Sequence, residues 1–248
     1  MLHLNNIFKT FQQTLAVKNF NLSIKSGQLT VLIGPSGCGK STVLKIIMGL
    51  IYPDSGTVLL DSKKVEPKSV LSLRREMGYV IQEGGLFPHL TARKNITLVA
   101  EQIGWKIREI NRRLEELQEL THITPDILNR FPVQLSGGQR QRISLMRALM
   151  LDPNILLLDE PLGALDPMIR SELQKDLKEI FQKLSKTVLL VTHDMGEAAF
   201  FGDQIVLMRE GEIIQNGQLV DLIKKPADPF VALFIRAQRN PINDYFQE

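Results

Sequence analysis

Lys40 and Ser41 close the run Gly34-Pro35-Ser36-Gly37-Cys38-Gly39-Lys40-Ser41, whose spacing is that of a phosphate-binding loop. Glycines at these intervals let the backbone curl until successive N–H groups face one concavity, and a helix opening directly afterwards adds its positive end. A triphosphate suits that concavity. Lys40 would reach its β- and γ-phosphates, Ser41 would ligate Mg²⁺, and Thr42 would touch the α-phosphate through its amide or hydroxyl. Cys38 falls among the cradling amides, which predicts that a bulky thiol reagent blocks the loop. The plainer reading, a glycine-rich turn with an exposed lysine, leaves a second cluster unexplained.

That cluster ends the run Ile155-Leu156-Leu157-Leu158-Asp159-Glu160, an apolar stretch finished by two carboxylates. Buried strands of open α/β sheets bring their C-terminal ends to the edge where ligands bind. Asp159 would hold the Mg²⁺ hydration shell there, and Glu160 would polarise the water that attacks the γ-phosphate. A surface turn or a helix-start charge is the bland account of the two acids; a phosphate loop in the same chain argues against it.

A third group is Leu135-Ser136-Gly137-Gly138-Gln139, followed by Arg140-Gln141-Arg142 and an apolar run over 143–150. Ser136 has the character of a helix N-cap, and small residues beside a cap leave first-turn N–H groups open to a phosphate. Capping and anion binding are compatible.

These residues need elements to position them. Residues 30–33 form an unbroken apolar run into the loop, which predicts a buried strand feeding a helix over 40–48 that stops at Gly49. Short runs at 22–24 and 57–60 predict further strands. Residues 155–158 and 187–191 have the length and β-branched content of central parallel strands. Ile205 to Met208 and Glu212 to Ile214 predict a hairpin around Glu210-Gly211. Two amphipathic helices are expected: one turns Ile107, Ile110, Leu114, Leu117 and Leu120 inward; the other, capped by Asp166 before Pro167, does so with Ile169, Leu173, Leu177, Ile180 and Leu184. An α/β core over about 1–82 and 152–248, with a helical lobe inserted at about 83–151, fits this order.

With 248 residues and 44% hydrophobic content, the chain can bury a large core. The 30 basic and 27 acidic residues are interleaved, so no nucleic-acid partner is expected. Cys38 is the single cysteine, which excludes an internal disulfide and suits a reducing compartment. The most apolar stretch, over 43–52, is broken by Lys45 and Gly49, and residues 1–9 lack a secretion signal, so neither a membrane span nor export is expected.

In this order the phosphate loop, Gln82, the Ser136 pentapeptide, the Asp159-Glu160 strand, Ala164-Leu165-Asp166 and His193 resemble the ATP-hydrolysing subunits of ABC transporters, over nearly the whole chain. The resemblance implies a P-loop NTPase (RecA-like) core with an N-terminal antiparallel β region and an inserted helical subdomain. It implies ATP and Mg²⁺, with Gln82 reaching the metal and the attacking water, His193 contacting the γ-phosphate, Phe11 stacking on adenine, and Asp166 at a dimer interface. By themselves, His193 would be a structural histidine, Gln82 a solvent glutamine and Phe11 a core residue. The segment over 83–95 would be the surface offered to a transmembrane permease, although Phe87 fits a buried loop equally well. A head-to-tail homodimer, with Ser136, Gly137, Gly138 and Gln139 of one copy completing the site of the other, is implied too. So is a location at the cytoplasmic face of the inner membrane, held there by the permease.

The stretches over 81–91 and 226–231 resemble importers of quaternary-amine osmoprotectants such as glycine betaine or choline, which also use a solute-binding protein. Importers of polar amino acids share part of these motifs, and Lys94 stands where the group often has an acid. Many relatives carry two regulatory domains after the ATPase; this sequence stops at Glu248, and regulation by that route is expected to be absent. A soluble, non-transport ABC ATPase would need a long coiled-coil insertion or tandem ATPase units, and neither is present. A nucleotide-binding regulatory module without turnover sits poorly with Lys40 and Glu160 together.

Overall fold

The computed structural model describes residues 2–82, 84–163 and 165–238. Glu83, first in the predicted permease-facing segment, and Ala164 of the Ala164-Leu165-Asp166 run lie outside the described residues. The chain begins with two long antiparallel strands, β1 (Leu2–Phe11) and β2 (Thr14–Ile24), then β3 (Leu29–Ile33) and α1 (Lys40–Ile47). β4 (Ser55–Leu60), β5 (Lys63–Lys64), α2 (Val70–Arg75) and β6 (Met77–Val80) follow, and then α3 (Ala92–Gln102), α4 (Ile107–Thr121) and α5 (Gly137–Leu149). The remainder alternates as β7 (Ile155–Asp159), α6 (Pro167–Leu184), β8 (Thr187–Thr192), α7 (Met195–Phe201) and the hairpin β9 (Gln204–Arg209) with β10 (Glu212–Gly217). α8 (Leu219–Lys224) and α9 (Pro229–Ala237) close the described chain.

One sheet has the order β2-β1-β4-β5; the other runs β10-β9-β3-β8-β7-β6, parallel except for the β9–β10 hairpin. Every residue of β3, β7 and β8 is buried. Alternation explains why these strands are apolar without interruption. Val31, Ile33, Leu156, Leu158, Val188 and Leu190 face a cluster that includes inward residues of α3 to α7 and α9. Leu32, Leu157, Leu189 and Val191 face the opposite cluster, shared with α1 and the antiparallel sheet. A sheet covered on both faces requires apolar side chains at consecutive positions.

The predicted helices form, with two differences on their faces. Ile107 is 62% exposed, because it is the first residue of α4 and overhangs the packed turns, whereas Ile110, Leu114 and Leu117 are buried. On α6, Phe181 takes a buried position beside Ile180, while Ile169 and Leu184 are only half-buried. Asp166 caps α6, its Oδ1 accepting from the N–H groups of Met168 and Ile169 at 3.1 Å each, and Pro167 occupies the first turn. No helix among the described residues is long and apolar enough to cross a membrane.

Candidate nucleotide site

Parallel pairing gathers the candidate residues at one edge. Ile33 pairs with Thr192, Asp159 with Val191, and Val80 with Leu158. The chain leaves these strands into the phosphate loop, His193, Glu160 and Gln82, at the edge where open α/β sheets take ligands. Gln82 is exposed in the turn after β6. Phe11 ends β1 and is 44% exposed, with the Lys9 ammonium 5.5 Å from its ring centroid.

In the loop, Gly39 adopts φ +108°, and a Cβ there would lie 2.4 Å from the Ala16 carbonyl oxygen. Both constraints exclude a side chain. Gly39→Ala is therefore expected to deform the loop and weaken nucleotide binding, with a stability loss of about 1–3 kcal/mol. Nucleotide titration with a thermal melt checks it, and an unchanged affinity and Tm would count against this loop geometry. Ser36 and Gly37 are exposed at the loop tip, and Pro35, Ser41 and Thr42 are half-buried. The first-turn N–H groups of α1 have no carbonyl a turn earlier to bond, so they remain donors for a ligand.

One loop residue excludes the plainer reading of the sequence, and another differs from the expectation. Lys40 is not an outward lysine: it is 5% exposed, with Nζ donating to the carbonyls of Gly34 at 2.8 Å and Pro35 at 2.9 Å. A buried ammonium requires acceptors, and the loop's own backbone supplies them. Cys38 does not present its thiol to the concavity either. The side chain is 6% exposed, packs into the apolar cluster with Val43 and Met208, and burial pushes its pKa up. Its N–H donates to Pro35 O at 3.3 Å, and its carbonyl accepts from Gly211 at 3.0 Å. A buried, protonated thiol reacts slowly with or without nucleotide, contrary to the sequence-based expectation.

Beside the loop, Ser41 Oγ donates to Asp159 Oδ1 at 3.0 Å, and the Tyr79 hydroxyl approaches Oδ2 at 3.5 Å. Burial raises the Asp159 pKa; the Ser41 hydrogen bond opposes the rise, and the neighbouring Glu160 charge adds to it. Burial and the Asp159 charge push the Tyr79 phenol up to about 12, so it stays a donor. Glu160 turns sharply out of the sheet at φ +45°, its N–H held by Val191 O at 2.9 Å. A left-handed non-glycine residue is strained and persists only when its surroundings hold it. Its Oε2 lies 3.3 Å from Nδ1 of His193, a ring that is 54% exposed. The structure thus brings Ser41, Asp159, Glu160 and His193 together in contacting pairs.

Ser136 caps α5 as predicted: its Oγ accepts from Gln139 N–H at 3.2 Å, and Gln139 Oε1 accepts from Ser136 N–H at 3.0 Å. A Cβ on Gly137 would lie 2.9 Å from Leu165 Cδ2, so this glycine also permits close packing before α6. A cavity of about 400 Å³ opens beside the cap, lined by Ser136, Gly138, Gln139, Arg142 and Glu172 among others, with no residue of the phosphate loop.

A family model described as ABC transporter matches residues 17–163 of the chain. The chain belongs to the ABC transporter family. Among curated ABC relatives, the choline transport ATP-binding protein OpuBA of Bacillus subtilis is 45% identical over 240 residues, covering 96% of this chain and 63% of OpuBA. This chain therefore spans a little under two thirds of the length of that relative. The glycine betaine uptake system ATP-binding protein YehX of Escherichia coli is 42% identical, covering 94% of this chain and 76% of YehX. A solved dimeric, post-hydrolysis ATP-binding cassette, MJ0796 bound to ADP and Pi, superposes with a TM-score of 0.79 at 36% identity, covering 88% of this chain and 99% of that one.

Two contributors to this ABC site escaped the sequence reading. Tyr79 pairs with Leu157 across strands distant in sequence, so nothing local points its hydroxyl at Asp159. Arg147 donates to the carbonyls of Gly84 at 2.9 Å and Gly85 at 2.8 Å, with Ser144 Oγ on Gly84 O at 2.7 Å. These bonds fasten the segment after Gln82 to the helix that Ser136 opens. Phe87, in the same segment, is 44% exposed.

Proposed function

We propose that the chain is the ATP-binding and ATP-hydrolysing subunit of an ABC importer of small solutes, with quaternary amines such as glycine betaine or choline as its cargo class. One observation carries the ATPase reading: Ser41 bonds Asp159 while the next residue, Glu160, contacts His193, all at the mouth of the phosphate loop. The cargo class rests on the relatives' names and on the resemblance of the stretches over 81–91 and 226–231. Purified chain with Mg-ATP, assayed for phosphate release, tests the first; ATP-dependent uptake of labelled glycine betaine by cells with and without the gene tests the second.

Each residue then has a role set by its place. The loop amides and Lys40 hold the β- and γ-phosphates, which requires the ammonium to exchange the Gly34 and Pro35 carbonyls for phosphate oxygens. His193, with a hydrogen on Nδ1, donates to Glu160 and orients the carboxylate that takes the proton of the attacking water. Gln82 approaches the same water from the β6 side, Phe11 offers its exposed face to adenine, and Thr42 contacts the α-phosphate. Mg²⁺ fits the oxygen pair of Ser41 and Asp159, since it prefers one or two protein oxygens beside substrate phosphates, and it would neutralise phosphate charge there. Among the described residues no group of three or more His, Cys, Asp or Glu could hold a metal.

Asp159 sets a pH dependence. Its folded pKa lies above the ordinary aspartate value, so the ionised form costs stability: the benefit of folding is full below the unfolded pKa and is lost as pH rises through the folded one. Metal binding runs the other way and weakens as pH falls through that raised value. Asp159→Asn is expected to raise Tm at neutral pH, flatten the dependence of Tm on pH and abolish Mg²⁺-dependent turnover. Thermal melts across pH check it; a lower Tm at neutral pH would contradict the burial account.

The signature around Ser136 and the phosphate loop each open a separate helix, and the cavity beside Ser136 contains nothing from the loop. A second copy, placed head to tail, supplies the missing half of each site, with Asp166 at the seam; dimeric cassettes such as MJ0796 support this reading. The permease would bind the segment over 83–95 as the helical lobe over 83–151 swings against the core, a solute-binding protein would deliver cargo, and the ATPase would sit at the cytoplasmic face of the membrane.

A further inference from the structure

His193 reaches Glu160 from a turn, and the bonds that shape this turn can be followed group by group. Asp194 N–H donates to Thr192 Oγ1 at 3.1 Å, Thr192 Oγ1 donates to Glu197 Oε2 at 2.6 Å, and Glu197 N–H donates to Asp194 Oδ1 at 3.1 Å. These bonds lie within the turn and the first residues of α7. They leave the His193 carbonyl and the Met195 N–H, and both go to one side chain from the far end of the described chain. Gln238 Nε2 donates to His193 O at 2.8 Å, and Met195 N–H donates to Gln238 Oε1 at 2.6 Å. A carbonyl demands a donor and an N–H demands an acceptor, so only one orientation of the amide satisfies both.

The base of this clamp is fixed. Gln238 follows α9, whose Val231 and Phe234 are buried in the large cluster that also contains Met195. Asp228 caps α9 through the Phe230 N–H at 2.7 Å, and the Phe230 ring lies under the Arg209 guanidinium at 4.7 Å. Another contact that reaches this turn from outside is weaker, with Arg170 on α6 3.9 Å from Asp194. The His193 ring, half in solvent, is therefore aimed chiefly through its backbone.

We propose that Gln238 is a positioning residue for ATP turnover: it holds the His193 backbone so that Nδ1 meets Glu160, and it links α9 to the reacting centre. The inference rests on the ATPase reading and deepens it. Movement of α9 would be felt at His193 before it is felt at the phosphate loop. ATP affinity should then be insensitive to Gln238, while the rate should not.

Two variants of the full chain test this. Gln238→Met removes both bonds at nearly constant length. Gln238→Glu keeps an acceptor for Met195 but sets an oxygen against the His193 carbonyl. In Gln238→Met, amide exchange at Met195 is expected to rise about tenfold, and kcat to fall about tenfold at unchanged KM for ATP and unchanged Tm. In Gln238→Glu, exchange at Met195 should stay near the parent value while kcat still falls, because the His193 carbonyl is the group repelled. Parent-like exchange at Met195 in Gln238→Met, or parent-like kcat in both variants, overturns the proposal. A parent chain with no ATP turnover would instead sink the ATPase reading, and Met195 exchange would then decide the Gln238 contact alone.

Discussion

Glu160→Gln is expected to lower ATP turnover by about 10²–10⁴-fold, the range for losing a positioned general base, while ATP still binds. Glutamine keeps the shape and can still accept from His193 Nδ1, so the contact now at 3.3 Å survives. What disappears is the ability to take a proton from water. The strained backbone at φ +45° is set by the exit from β7 and the bond to Val191, neither of which uses the carboxylate. The fold should therefore persist, and single-turnover phosphate release measured beside nucleotide affinity separates the two effects. Turnover within a factor of two or three of the parent would remove Glu160 from the base role.

Lys40→Ala is expected to weaken ATP binding by about 10²-fold or more and to abolish turnover at cellular ATP levels. In the free chain the ammonium already makes two bonds to neutral carbonyls. On binding it trades them for charged phosphate oxygens, and hydrogen bonds between ionised partners are roughly twice as strong as neutral ones. The loss is the difference between those sets rather than the full value of either. Because Lys40 is buried, the substitution also leaves the Gly34 and Pro35 carbonyls without their donor, so a Tm decrease accompanies the loss of affinity. Isothermal titration with a melt on the same sample checks both, and parent-like ATP affinity would show that this loop is not the nucleotide site.

Local pattern carried much of this chemistry. A strand-to-helix run of glycines ending in Lys40-Ser41, an apolar run ending in Asp159-Glu160, and caps at Ser136 and Asp166 are all set by near neighbours, and each appears where expected. What escaped depends on the order of strands. Tyr79 faces Asp159 because β6 lies beside β7, and His193 meets Glu160 because β8 lies on the other side. Hydrophobic period cannot specify that order. Cys38 misled for a related reason: a loop motif states which groups are present but not which way each turns, and here Lys40 bonds the loop's carbonyls while Cys38 enters the core. Ile107 has the right helical phase, yet lies one turn beyond what the core covers. Arg147 and Gln238 spend their side chains on distant backbone groups, a use that leaves no local signature.

The most direct test of the central claim, that one ATP is held between the phosphate loop of one copy and the Ser136 helix of another, mixes two defective chains. In the Glu160→Gln background, where hydrolysis cannot disperse the assembly, light scattering with Mg-ATP compares Lys40→Ala chains, Ser136→Arg chains and their equimolar mixture. Each alone lacks a complete site, whereas the mixed pair sets an intact loop opposite an intact Ser136 at one of its two sites. The account predicts ATP-dependent dimers in the Glu160→Gln parent, none in either defective chain alone, and partial recovery in the mixture. Dimerisation of both defective chains to the parent's extent, or a parent whose mass does not respond to ATP, would contradict it.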